Sequence, residues 1–193
     1  MYLSPGWGVI REEDIDGAVT SEETGDPFLQ AIPVDVVGGA LSYPAIIYMK
    51  QDGESLYLAV KITELPYESV EELLDAGCQE VFVGFDVNED GEQWTVGDDL
   101  IMFDLVEEMT VDAFYPADLQ FAFDTRNGGT NDVIAAAGFD SGTLTVEFLR
   151  PLISEDAPEM DPALEPDAEV RVRSGFILLF EFAMEDDLVI SIE

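Results

Sequence analysis

The sequence holds no histidine, one cysteine and seven basic residues, with Lys50 and Lys61 its only lysines. Without histidine it lacks the commonest general base, the commonest zinc and haem ligand, and any Ser-His-Asp triad. Cys78 alone makes no intrachain disulfide and no cysteine-rich metal site. So few cations leave no basic patch, so neither nucleic acid nor an anionic membrane surface is an expected partner. No apolar run approaches the roughly 20 residues that span a bilayer; runs such as Phe176 to Phe180 are strand-sized, so no membrane insertion is expected. Met1-Tyr2-Leu3-Ser4-Pro5-Gly6 shows neither the basic nor the apolar segment of a signal peptide.

Carboxylates are what the chain has in excess: 43 Asp and Glu among 193 residues, for a formal net charge of −36. Hydrophobic residues still make up 47%, so the chain builds a core and is not an acidic disordered tail. Charge of that size opposes compaction unless salt screens it, and the Debye length falls from ~10 Å at 0.1 M to ~3 Å at 1 M. An apolar core under a carboxylate shell almost free of lysine is the pattern of a salt-adapted, halophilic protein.

Strand signals dominate the order along the chain. Residues 1–30 read as an acidic arm packing on the domain, and 31–193 as a single β-sandwich. Ala45 to Met49 and Ser55 to Ile62 flank Gln51-Asp52-Gly53-Glu54, a hairpin by its Asp-Gly turn. Leu56, Leu58, Val60 and Ile62 alternate with Tyr57, Ala59 and Lys61, as in a half-buried strand. One helix is marked, with Ser69 as N-cap, Glu72 completing a capping box and Gly77 as the stop. Further strands are expected over Glu80 to Val87, Leu100 to Val106, Thr110 to Tyr115, Leu119 to Phe123, Val133 to Ala137 and Thr143 to Leu149. Three more, Glu169 to Arg173, Gly175 to Ala183 and Leu188 to Ile192, end the chain. In Thr143 to Leu149, Leu144, Val146 and Phe148 point one way while Thr143, Thr145 and Glu147 point the other. The fold class is therefore all-β, an antiparallel β-sandwich with one short inserted helix.

One segment carries explicit ion chemistry. Asp86-Val87-Asn88-Glu89-Asp90-Gly91-Glu92 matches the opening of a calcium loop, in which oxygens at alternate positions converge on one cation. Asp86, Asn88 and Asp90 supply side chains and Glu92 its carbonyl. Gly97 stands where a bidentate glutamate is usual; Asp98 and Asp99 follow directly as replacements, and Asp98 is taken as the ligand. Calcium is thus the expected cofactor. The carboxylate pairs Asp98-Asp99, Glu107-Glu108 and Asp186-Asp187 read as solvated surface, because neighbours on a strand point to opposite faces. Arg150, at a strand end, reads as a clamp on a partly buried carboxylate.

Three stretches taken in order carry a family resemblance. They are Asp14-Ile15-Asp16-Gly17; Leu56-Tyr57-Leu58-Ala59-Val60 leading to Val81-Phe82-Val83-Gly84-Phe85-Asp86-Val87-Asn88; and Gly128-Gly129-Thr130-Asn131-Asp132-Val133 before Thr145-Val146-Glu147-Phe148-Leu149-Arg150-Pro151-Leu152. From Asp14 to Ala183 the chain resembles the DOMON superfamily, which includes family-9 carbohydrate-binding modules and the haem-binding gamma subunit of ethylbenzene dehydrogenase. The resemblance implies that the sandwich is immunoglobulin-like, and that it is a non-catalytic, extracytoplasmic or cell-surface module that binds a glycan or another envelope protein. Sugar-binding members stack pyranose faces on aromatic rings, a role open here to Trp94, Tyr48 and Tyr115. Haem-binding members use Met with His or Lys, whereas this chain has no histidine and no lysine after Lys61. Haem b is therefore not expected. An electron-transfer subunit of a molybdenum-enzyme complex, or a structural partner-binding domain, stands as the alternative.

Overall fold

The computed structural model describes residues 2–3, 6–7, 15–19, 30–38, 41–86, 95–154, 156, 163–164, 169–178, 181–182 and 188–192. The alternation in the strand Ser55–Ile62 (β5) sets the plan. Leu56, Leu58, Val60 and Ile62 enter the core between two sheets, while Tyr57 and Ala59 are buried on the opposite face. Its neighbours are Leu41–Gln51 (β4) and Thr143–Pro151 (β11), each running antiparallel to it. Ile134–Asp140 (β10) closes one edge of this sheet; Gly6–Trp7 (β2) and Gln30–Gly38 (β3) both pair with β4. The Asp52 carboxylate fixes the β4–β5 turn by accepting from the Glu54 and Ser55 amides at 3.1 and 2.9 Å.

The second sheet is built on Cys78–Asp86 (β6), Asp99–Asp104 (β7) and Met109–Ala117 (β8), with the short Gln120–Phe123 (β9) at its edge. Glu169–Leu178 (β12) pairs with β6 on the other side, followed by Leu188–Ser191 (β14) and Tyr2–Leu3 (β1); Glu181–Phe182 (β13) pairs with β12. Val81, Val83, Phe85, Ile101 and Phe103 face the first sheet, and Phe82, Leu100, Met102, Ala113 and Tyr115 form a second cluster behind them. The architecture is an all-β sandwich, antiparallel except where β1 and β2 join in parallel. No helix among the described residues is long and apolar enough to cross a membrane.

Among the described residues, two short helices interrupt the strands. Val70–Asp75 (α1) starts where expected: Ser69 accepts from the Glu72 amide at 3.3 Å. The Glu72 carboxylate accepts from the Glu68 amide at 2.8 Å, one residue before the capping-box partner. Leu73 of α1 is fully buried against the core. The second helix, Asp124–Asn127 (α2), is not among the elements expected from the sequence; it ends at Gly128, whose φ of 97° suits a left-handed cap.

Charges are buried as well as exposed. Arg150 is among the largest fully buried side chains; it donates to Asp99 at 2.5 Å and lies 4.8 Å over the Phe85 ring. This is the expected clamp, though its carboxylate is fully buried. Removing one partner of such a pair costs about 3–5 kcal/mol, because the other charge stays in the core. Asp98 and Asp99, expected as solvated surface, are both buried; Asp98 accepts from the Thr95 amide at 2.9 Å.

Glu147 departs further from the alternation reading. It faces away from the core, as expected, yet is wholly inaccessible. One of its oxygens accepts from the Asp16, Gly17 and Ala18 amides at 2.9, 2.6 and 3.1 Å, and the other from the Tyr57 hydroxyl at 2.6 Å. The turn at residues 16–18 thus lies on the outer face of the first sheet. Gly17 has a φ of 85°, and a Cβ there would lie 2.5 Å from the Ala137 carbonyl carbon, so only glycine fits.

Candidate functional site

A cleft of about 1100 Å³ opens beside the edge strand β10. Three chain reversals build it. The β10–β11 turn carries Ser141 and Gly142 at φ of 49° and 75°, a type I′ arrangement that suits the twist of the strands. The Gly142 carbonyl accepts from the Leu65 amide at 2.9 Å, which ties the β5–α1 connection to this turn. The β7–β8 turn is shaped by the Asp104 carboxylate, which accepts from the Val106 and Glu107 amides at 2.8 and 2.9 Å.

Tyr67 and Phe139, both half-buried, give the cleft aromatic walls. Glu68, Glu108 and Asp140 bring carboxylates, and Ser69 and Ser141 hydroxyls. Behind Tyr67 lies Tyr43, whose phenol is raised above its ordinary value by burial and then by Tyr67 itself. Glu108 and Ser141 both hold positive φ, and so does Glu64 next to the lining residue Leu65. A non-glycine residue there costs of order 1 kcal/mol, and such positions concentrate at ligand-holding sites. Aromatic faces beside carboxylate acceptors and hydroxyls match the apolar faces and polar edges of a sugar ring.

The residues singled out in the sequence lie elsewhere. Tyr48 is buried on the outer face of the first sheet with Val19, Tyr57 and Ala59. Tyr115 is buried on the outer face of the second, and its phenol is raised by burial and by the Asp98 charge. The two are therefore on opposite faces of the sandwich. Trp94 lies outside the described residues. Tyr115 meets Phe121 edge-on at 6.4 Å, Phe121 meets Phe123 at 5.7 Å, and Arg126 stacks 4.2 Å over Phe123.

Of the calcium residues, Asp86 and Asp98 stand at the same end of the β6–β7 ladder, one step beyond the pair Phe85–Asp99. Both are buried, and an oxygen of Asp86 lies 3.9 Å from the Arg171 guanidinium. Asn88, Asp90 and Glu92 lie outside the described residues, among which no group of three metal-ligating side chains occurs. Five methionines have a thioether that could serve as one haem ligand: Met49 is in the inter-sheet core, Met102 is on the outer face of the other sheet and Met109 is exposed. Met160 and Met184 are outside the described residues.

Tyr67 and Phe139 carry no signal of their own in the sequence. The turns that place them do, namely the N-cap at Ser69 and the turn at Asp140-Ser141-Gly142.

No protein-family model matches the chain, and no curated protein matches it either. Its fold is nonetheless similar to that of solved structures. A family-9 carbohydrate-binding module from Caldicellulosiruptor kristjanssonii, solved in complex with glucose, superposes with a TM-score of 0.58 at 12% identity, covering 100% of this chain and 95% of that one. The structure of such a module from the same organism in complex with cellotriose gives 0.57 at 10% identity, covering 100% and 93%. A carbohydrate-binding protein from Bacteroides uniformis, so described in its structure's name with the function still provisional, gives 0.59 at 9% identity, covering 100% and 98%. At these identities the likeness establishes a fold like that of family-9 modules.

Proposed function

We propose that this chain is a non-catalytic carbohydrate-binding module of a halophile, acting outside the cytoplasm, with its glycan held in the cleft beside β10. The observation that carries this reading is the cleft itself: Tyr67 and Phe139 flank carboxylates and hydroxyls on a fold shared with glucose- and cellotriose-bound modules. The rings stack on sugar faces while Glu68, Glu108 and Asp140 accept from hydroxyl groups. A glycan array in molar KCl, followed by calorimetry, tests it. Tyr67→Ala and Phe139→Ala are each expected to weaken binding about tenfold, the loss of one stacking contact. Binding that neither substitution alters would move the site elsewhere, and a blank array would sink the reading.

The module is also proposed to carry a structural calcium ion, ligated by Asp86, Asn88, Asp90 and Asp98 with the Glu92 carbonyl. The oxygen spacing of that segment supports this, together with the placing of Asp86 and Asp98 at one end of a hairpin. Calcium at a hundredfold excess over its dissociation constant is expected to add about 2.7 kcal/mol. Asp90→Ala should abolish the calcium-dependent rise in melting temperature and spare the sodium-dependent one. Equal effects on both would identify the segment as an acidic turn.

A further inference from the structure

We infer that the cleft continues over the tip of the β10–β11 hairpin into a second recess, so that the protein binds glycan chains of several units and not single sugars. This rests on the reading of the cleft as a glycan site. The recess has a volume of about 420 Å³ and lies on the outer face of the first sheet. Gly138, Phe139, Asp140 and Ser141 line both cavities, so the hairpin tip is the only wall between them among the described residues. The cleft alone reaches the upper end of the roughly 300–1,000 Å³ typical of a site for a drug-sized ligand, and a single hexose leaves much of it empty.

The recess has the chemistry of a sugar subsite. Lys61, one of seven basic residues in the chain, is register partner to Thr145, and Thr143 lies two residues back on the same face of β11. Asp16 and Asp140 bring carboxylates to the same opening. An ammonium donor, two hydroxyls and two carboxylate acceptors suit the mixed donors and acceptors of a neutral sugar; a lone anion would meet both carboxylates. The far wall is rigid before any ligand arrives. The turn at residues 16–18 is held by three amide bonds to Glu147, and Gly17 sits on Gly138 so closely that neither position has room for a Cβ. A wall already ordered adds no ordering cost to binding.

Calorimetry with gluco-, xylo- and manno-oligosaccharides of increasing length, from one unit to six, tests the inference. Affinity is expected to climb with length and level off once both cavities are spanned. Lys61→Met keeps the aliphatic stem but removes the donor. It should cut the ratio of hexasaccharide to disaccharide affinity about tenfold, the weight of one charged hydrogen bond. Tyr67→Ala should weaken every length. In the unsubstituted protein, the Thr143 and Thr145 amide resonances should shift with the hexasaccharide and stay put with the disaccharide, which keeps the test independent of how any variant folds. Length-independent affinity, or still resonances at both threonines, would overturn the shared track while leaving the cleft as a glycan site. Failure of every oligosaccharide to bind would remove the glycan reading and the inference together.

Discussion

Glu147 joins distant parts of the chain at one carboxylate. Three amides and a phenol converge on it from points 90 to 131 residues away. Bonds to an ionised acceptor are stronger than neutral ones, and a buried donor left without its acceptor pays its full desolvation cost. Glu147→Gln puts an amide N–H₂ where an acceptor is required and is expected to cost about 2 kcal/mol. Urea unfolding in molar salt would show this as a lower midpoint. Glu107→Gln, at an exposed position in the β7–β8 turn, should leave the midpoint nearly unchanged. Matching shifts for the two variants would reduce Glu147 to one surface acid among many. Alternation placed this side chain correctly on the face away from the core. It does not say that the turn at residues 16–18 returns to cover that face, because local periodicity holds no information about a contact at that separation.

Among the elements, those specified by neighbours in sequence were legible and those specified by distant partners were not. The strand β5, the Asp-Gly hairpin before it and the Ser69 cap can all be read from a few adjacent residues. The cleft is assembled from the β5–α1 connection, the β7–β8 turn and the β10–β11 hairpin, so its lining appears only once the sheets are paired. Excess acid hides function as well: with 43 carboxylates present, Asp99 in the core reads no differently from Glu107 in solvent. Pairing also creates a local conflict. Glu80 on β6 stands directly across from Asp104 on β7, and like charges so placed repel. Burial first, and then the Asp104 charge, hold the Glu80 carboxyl above its ordinary value. An acid raised in the folded state binds more protons there than in the unfolded chain, so it subtracts stability once ionised. That deficit is absent at a pH below the unfolded value and grows as the pH rises through the folded one. Glu80→Gln should therefore raise the melting temperature at pH 7, and the gain should disappear below about pH 4. A gain that persists in acid would assign it to packing.

On the scale of the whole molecule, a net charge of −36 opposes the compact state. Monovalent salt is expected to raise the thermal midpoint steeply from dilute to molar concentration, as the screening length shrinks to a few ångströms. Scanning calorimetry along a KCl series would show it, and a flat series would remove the halophile proposal. The clasp on Glu147 has a consequence in time as well as in energy. Gly17 donates to an acceptor 130 residues later in the chain, and β1 closes on β14 at residues later still. At synthesis rates of about 5–20 residues per second, the ribosome completes the acceptor roughly 7–26 s after the donor. Through that interval the first turn has nothing to dock on. The turn at residues 16–18 can therefore dock only once β11 is made, and β1 only once β14 is made.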